Sequence, residues 1–183
     1  MKFIDHTVES APAAARLALE GAAKKFGGVP SPLARMAESP TAVAAFHSML
    51  GHFEKSSLGL AEREVVTFVV ATTNECHYCV AMHSRVAGDV LGADGIAALR
   101  RGEALSAPRL EELRRFTIAV MARRGGVSDE ELEAFDAAGF TAQQALDVVV
   151  GIATYTLSTI ANRLTRAPLD GPLEAFRWPD AAA

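Results

Sequence analysis

Leu60-Ala61-Glu62-Arg63-Glu64-Val65-Val66-Thr67-Phe68-Val69-Val70-Ala71-Thr72-Thr73-Asn74-Glu75-Cys76-His77-Tyr78-Cys79-Val80-Ala81-Met82-His83 is the most informative stretch of this 183-residue sequence. In its first half Val65, Phe68, Val69 and Thr72 recur at the i, i+3, i+4, i+7 spacing of one buried stripe, which predicts a helix over 61–72 despite the β-branched content. A second helix is predicted from Asn74 or Glu75 to Leu91, with Thr72 and Thr73 as caps and Gly92 as its stop. At about 100° per residue, Cys76, Cys79 and His83 fall within roughly 60° of one another on that helix. Val86, Ala87 and Val90 continue the same face, so the thiols and the imidazole are expected against the apolar interior.

Working outward, the helical period persists. Helices are predicted over 13–25 and 41–54 around a Pro-rich break at Val29-Pro30-Ser31-Pro32, and over 108–123, ending at Gly125-Gly126. Ser128 with Glu131 and Thr141 with Gln144 have capping-box spacing and open two more. The last carries Leu146, Val149, Val150, Ala153, Leu157, Ile160 and Leu164, which marks it as the central core helix with that stripe inward. A turn-rich tail, 169–183, ends the chain, and its Phe176 and Trp178 should pack on the body or on another subunit. No strand pattern or internal repeat competes, so one all-α domain over 1–183 is expected.

Composition narrows the function. A net charge of -4 without a basic block argues against nucleic acid. No uninterrupted apolar run reaches the roughly 18 residues of a membrane span. Met1-Lys2-Phe3-Ile4-Asp5-His6 has no signal-peptide pattern, which gives a cytoplasmic expectation.

The only two cysteines, Cys76 and Cys79, stand in CxxC spacing with His83 four residues on. Near a helix N-terminus unpaired N–H groups favour the thiolate, the reactive form. An imidazole nearby can move the thiol proton, and a second thiol can condense with a sulfenic acid to give a disulfide. These are the steps of a two-cysteine peroxidase. The bland alternative is a pair of small buried hydrophobes. Zinc on Cys76, Cys79 and His83 lacks a fourth ligand and a second Cys or His pair, so neither metal nor cofactor is expected. His77, His47 and His52 read as helix-face residues, with His77 solvated, and Glu64 as an ordinary first-turn acid whose spacing alone does not bring it to the thiols.

Glu64, eleven intervening residues, Cys76, two more, Cys79, three more and His83 together resemble the signature of the alkylhydroperoxidase D-like group of the carboxymuconolactone decarboxylase superfamily. Phe26-Gly27-Gly28-Val29-Pro30, Ala37-Glu38-Ser39-Pro40, Leu60-Ala61-Glu62-Arg63-Glu64 and the final helix through Asn162 are similar to its peroxidase-related branch, with the core signature at 60–91. The resemblance implies an alkylhydroperoxidase D-like helical bundle assembling as dimer, trimer or hexamer. It implies Cys79 as peroxidatic cysteine, Cys76 as resolving cysteine, and Glu64 with His83 as proton relay. Tyr78 stands where characterised alkylhydroperoxidase D enzymes carry His, and its hydroxyl can orient a peroxide. The substrate implied is a small hydroperoxide and the partner an external dithiol of lipoyl or thioredoxin type. Two other functions are open: a redox-responsive binding or scaffold protein, and a decarboxylase-like acid–base enzyme using Glu64 and His83.

Overall fold

Three of the described helices start at a short polar side chain. Ser39 accepts from the Ala42 N–H at 3.2 Å, and Ser128 with Glu131 and Thr141 with Gln144 form the two capping boxes that their spacing predicts. The structure, a computed structural model, describes residues 2–178. Its elements are α1 (Ala13–Phe26), α2 (Ser31–Met36), α3 (Pro40–Glu54), α4 (Leu60–Thr73), α5 (His77–Val86), α6 (Gly88–Arg101), α7 (Pro108–Ala122), α8 (Asp129–Ala137), α9 (Ala142–Thr165) and a 3-10 turn at Gly171–Phe176. No strand occurs among the described residues, and the fold is the expected all-α single domain. Pro179 and the rest of the predicted tail lie outside them.

α4 and α9 form the centre. α9 packs on α2, α3, α4 and α7, while α4 also holds α5, α6 and α7. Of the stripe read in the sequence, Val65, Phe68 and Val69 of α4 are buried and Thr72 is half-buried, while Val66, Val70 and Ala71 are buried beside them.

Four features depart from the sequence reading. The Pro-rich break contains α2, because Pro32 sits in a first helical turn where its missing N–H is harmless. The helix expected from Asn74 to Leu91 is shorter and divided. Thr72 and Thr73 end α4 instead of capping α5, and α5 starts only at His77. Gly92 does not stop the chain: it adopts φ 66° and ψ 171°, a local kink open to glycine, and helix resumes to Arg101. Val86 is consequently 54% exposed, although Ala87 stays buried.

The fourth departure concerns α9, which is central but faces the opposite way. Its bulky stripe points out, with Leu146 69%, Val149 47%, Ile160 54% and Leu164 68% exposed. The buried face is small and hydroxylated: Val148, Gly151, Thr154, Tyr155, Ser158, Thr159, Asn162 and Thr165. Burial is tolerated because Thr154, Thr159 and Thr165 each return their hydroxyl to a carbonyl four residues back, at 2.7 to 2.8 Å. It is also required by close approach, since a Cβ at Gly151 would lie 2.5 Å from the Phe53 ring and 2.8 Å from Val66. By length and composition alone α9, mean hydropathy 1.3, is long and apolar enough to cross a membrane, although Asp147 and Gly151 interrupt its apolar run. Here one face of it packs against α2, α3, α4 and α7.

Candidate functional site

A tight reversal between α4 and α5 presents the thiols. α4 closes with Asn74 as its cap, and Glu75 takes the left-handed conformation at φ 50°. The N–H of Glu75 donates to the Thr72 carbonyl at 3.0 Å and that of Cys76 to the Ala71 carbonyl at 2.8 Å, the two bonds of a Schellman motif. α9 braces this turn. Asn74 Nδ2 donates to Thr159 Oγ1 at 2.9 Å, Arg163 donates to the Asn74 carbonyl at 2.8 Å, and Arg163 pairs with the Glu75 carboxylate at 3.1 Å. Cys76 therefore caps α5 from outside the helix, and Cys79 is its third residue.

Both cysteines are free thiols and both are buried, 1% and 5% exposed. From α9, Asn162 Nδ2 donates to Sγ of Cys79 at 3.3 Å and to Sγ of Cys76 at 3.7 Å, and Ser158 Oγ lies 3.8 Å from Sγ of Cys79. A hydrogen bond from the Cys79 thiol lowers the Cys76 thiol to about 7, against the opposing effect of burial, with help from the N–H groups of Cys79 and Tyr78 and from Asn162. Cys79 is pushed the other way by that same bond, by burial and by the charge on Cys76. The dithiol thus loses one proton readily and holds the second.

Glu64 comes in from α4. Its Oε2 stands 2.7 Å from Nδ1 of His83, one helical turn beyond Cys79, and both side chains are only 12% exposed. With Nδ1–H donating to the carboxylate, Nε2 is the nitrogen left to take or give a proton. Phe68 and Tyr155 hold the imidazole edge-on, ring centroids at 6.4 and 5.2 Å. No hydrogen bond joins His83 to either sulfur.

The structure therefore joins Cys76 to Cys79 through Asn162, and joins Glu64 to His83 one helical turn beyond Cys79. Tyr78 is differently employed. Its hydroxyl donates to Asp170 at 2.5 Å, and Asp170 also accepts from the Ser31 hydroxyl, which ties α5 to the C-terminal segment and α2. Burial, with Asp170 beside it, drives the Tyr78 phenol far above its ordinary value. His77 is half-buried rather than solvated, with its ring 5.4 Å from that of Trp178. Trp178 donates from Nε1 to the Arg100 carbonyl at 3.0 Å, so the aromatic tail packs on the body. His47 lies beside Phe46 and His52 is exposed on α3. Among the described residues no group of three or more His, Cys, Asp or Glu side chains forms a metal site.

Ser158, Asn162, Tyr155 and Asp170 escape the sequence reading. Tyr155 is buried against His83, and burial first, then the charges of Glu64 and Cys79, raise its phenol. The available signal is the small-polar face of α9, where Ser158 and Asn162 sit four residues apart on the side opposite the leucines. A surface groove of about 200 Å³ runs to this place, with Cys76, Tyr78 and Asn162 in its wall and Arg163 and Arg166 alongside.

Residues 37–95 match the model of the carboxymuconolactone decarboxylase family. No curated protein matches the sequence at a significant level. Among solved structures, the chain is similar to an uncharacterized peroxidase-related protein from Ralstonia eutropha JMP134, an alkylhydroperoxidase AhpD core, at TM-score 0.80 and 22% identity over 94% of this chain and 93% of that one. An uncharacterized peroxidase-related protein from Silicibacter sp. TM1040 superposes at TM-score 0.78 and 21% identity, covering 96% of each chain. The debrominase Bmp8 superposes at TM-score 0.71 and 13% identity, covering 90% of each chain. At these identities the likeness is one of fold.

Proposed function

We propose that this chain, which has the alkylhydroperoxidase D-like fold and matches the carboxymuconolactone decarboxylase family over residues 37–95, reduces small hydroperoxides with the Cys76–Cys79 dithiol. The observation that carries the proposal is the Glu64–His83 pair, bonded at 2.7 Å one turn from a buried, reduced CxxC pair. A thiolate attacks the terminal oxygen of the hydroperoxide: an S–O bond forms, the O–O bond breaks, and an alkoxide leaves. Nε2 of His83, held in register by Glu64, supplies the proton that makes it an alcohol, through a water that spans the gap to the thiols. The second sulfur attacks the sulfenic acid, expels water and closes a disulfide. An external dithiol, of lipoyl or thioredoxin type, returns both electrons and two protons, and the cycle belongs in the cytoplasm where such partners stay reduced.

The family resemblance gives Cys79 the peroxidatic role and Cys76 the resolving role. A second reading exchanges them. It is favoured by the helix-capping position of Cys76, its lowered thiol and its place in the groove wall.

The outward stripe of Leu146, Val149, Ile160 and Leu164 supports assembly with further copies of this chain. Steady-state consumption of cumene hydroperoxide with dihydrolipoamide as reductant tests the catalytic proposal. Turnover that requires both cysteines supports it. Absence of turnover with every dithiol supplied, or turnover of 2,3,4-tribromopyrrole in its place, the compound bound by a cysteine-to-alanine variant of Bmp8, would redirect it to another two-electron acceptor.

A further inference from the structure

Asn162 is 4% exposed and its amide is only half used. Nδ2 donates to both sulfurs, at 3.3 and 3.7 Å, whereas Oδ1 is buried and has no hydrogen-bond partner. A buried, unpartnered carbonyl is disfavoured, so its presence beside a reactive pair points to a ligand that completes it. The groove that reaches Cys76 also reaches Asn162, which gives that ligand an approach. The missing partner must be a donor, because Oδ1 can only accept. A hydroperoxide brings one O–H, on the very oxygen that sulfur attacks.

Resting on the hydroperoxide-reductase reading, we propose that Asn162 is the residue that positions the substrate: Nδ2 holds the thiolate while Oδ1 accepts the O–H of the hydroperoxide and aims its terminal oxygen at sulfur. The arrangement serves whichever cysteine attacks, since the amide spans both. In the first step the S–O bond forms and the O–O bond breaks. Its electron pair leaves on the alkoxide, and the hydroperoxide proton stays on the transferred oxygen, now a sulfenic S–O–H. Oδ1 keeps the same hydrogen bond from substrate to product, so it is formed before the transition state and needs no reorganisation there. Sulfur is oxidised by two electrons and the peroxide is reduced by two. Ser158, one turn earlier on α9, approaches only Cys79, at 3.8 Å, and does not duplicate the role. Tyr78, the alternative orienting group in the sequence, is committed to Asp170.

The test separates positioning from thiol activation. Wild type, Asn162→Leu and the smaller Asn162→Ala are each titrated by thiolate absorbance. Each is then reacted under single-turnover conditions with cumene hydroperoxide and with methyl methanethiosulfonate, an electrophile without any O–H or N–H. All rates are expressed per thiolate. The expected result is a drop of tenfold or more in the hydroperoxide rate of both variants, with the thiosulfonate rate held within twofold. Equal losses toward both reagents, or no loss toward either, would overturn the proposal, the first because Asn162 then acts on the thiolate alone. Circular dichroism and melting of each variant identify a folding failure, and the variant that folds decides. A wild type that reacts with hydroperoxide no faster than a free thiol overturns the underlying reductase reading instead, and takes this proposal with it.

Discussion

Glu64 and His83, 19 positions apart in sequence and on different helices, meet at 2.7 Å between Oε2 and Nδ1 in a site where each is 12% exposed. Only the packing of α5 on α4 makes that meeting, and it fixes which imidazole nitrogen is available for proton transfer. Glu64→Gln keeps an acceptor for Nδ1–H but removes the charge. The expected loss in hydroperoxide turnover is about 100-fold, the lower range of general acid–base contributions, with an unchanged helical circular dichroism spectrum. Retained turnover would remove Glu64 from the relay.

Thiolate formation should follow the lowered Cys76 thiol. Absorbance near 240 nm in the reduced protein should rise with a midpoint at about 7, below the roughly 8.5 of a free cysteine. Cys79→Ala removes the hydrogen-bond donor that is the largest cause of the shift and should move the midpoint upward. Linkage gives a matching stability profile. Because the folded thiol of Cys76 is depressed, its contribution is fully present above the unfolded value and is lost as pH falls through about 7. Cys79 is raised, so its contribution is present below the unfolded value and is lost as pH rises beyond it toward the folded one. Urea titrations of reduced protein should therefore show this part of the stability greatest near the unfolded thiol value, roughly 8.5.

Tyr78→Phe should separate structure from chemistry. It takes away the hydroxyl that Asp170 accepts and leaves that carboxylate with only Ser31. A loss of about 1–3 kcal/mol in urea unfolding is expected, with the rate of hydroperoxide reduction within about threefold of wild type. A collapse in rate at unchanged stability would return Tyr78 to the chemistry.

The local code of the chain was legible and its tertiary roles less so. Capping spacings located the starts of α8 and α9, and the shared face of Cys79 and His83 followed from helical angles, because both depend on near neighbours, whereas Cys76 stands at the N-cap outside that helix. The true boundaries of α5 were hidden because its start depends on Glu75 entering a left-handed turn, a conformation that a glutamate does not advertise. α9 misled in another way. Hydrophobic periodicity finds the apolar face of a helix but not what covers it, so the stripe of Leu146 to Leu164 was placed inward. The face that actually builds the site was overlooked because its threonines satisfy themselves within the helix and its glycine makes room for Phe53.

That outward stripe makes a prediction of its own. Leu146→Glu combined with Leu164→Glu should shift the protein to a smaller species by light scattering after size exclusion. Both side chains are more than two-thirds exposed in the single chain, so its helicity and melting at low concentration should change little. A wild type that is monomeric at every concentration would contradict assembly through this face.

The most direct measurement is stopped-flow oxidation of the reduced protein by cumene hydroperoxide, comparing wild type with Cys79→Ser and Cys76→Ser. The account predicts fast oxidation in wild type that ends in a Cys76–Cys79 disulfide. It also predicts that one single mutant is inert and that the other stops at a trapped sulfenic acid, Cys76→Ser if Cys79 is peroxidatic. Oxidation no faster than that of an ordinary thiol, and indifferent to both substitutions, would contradict it.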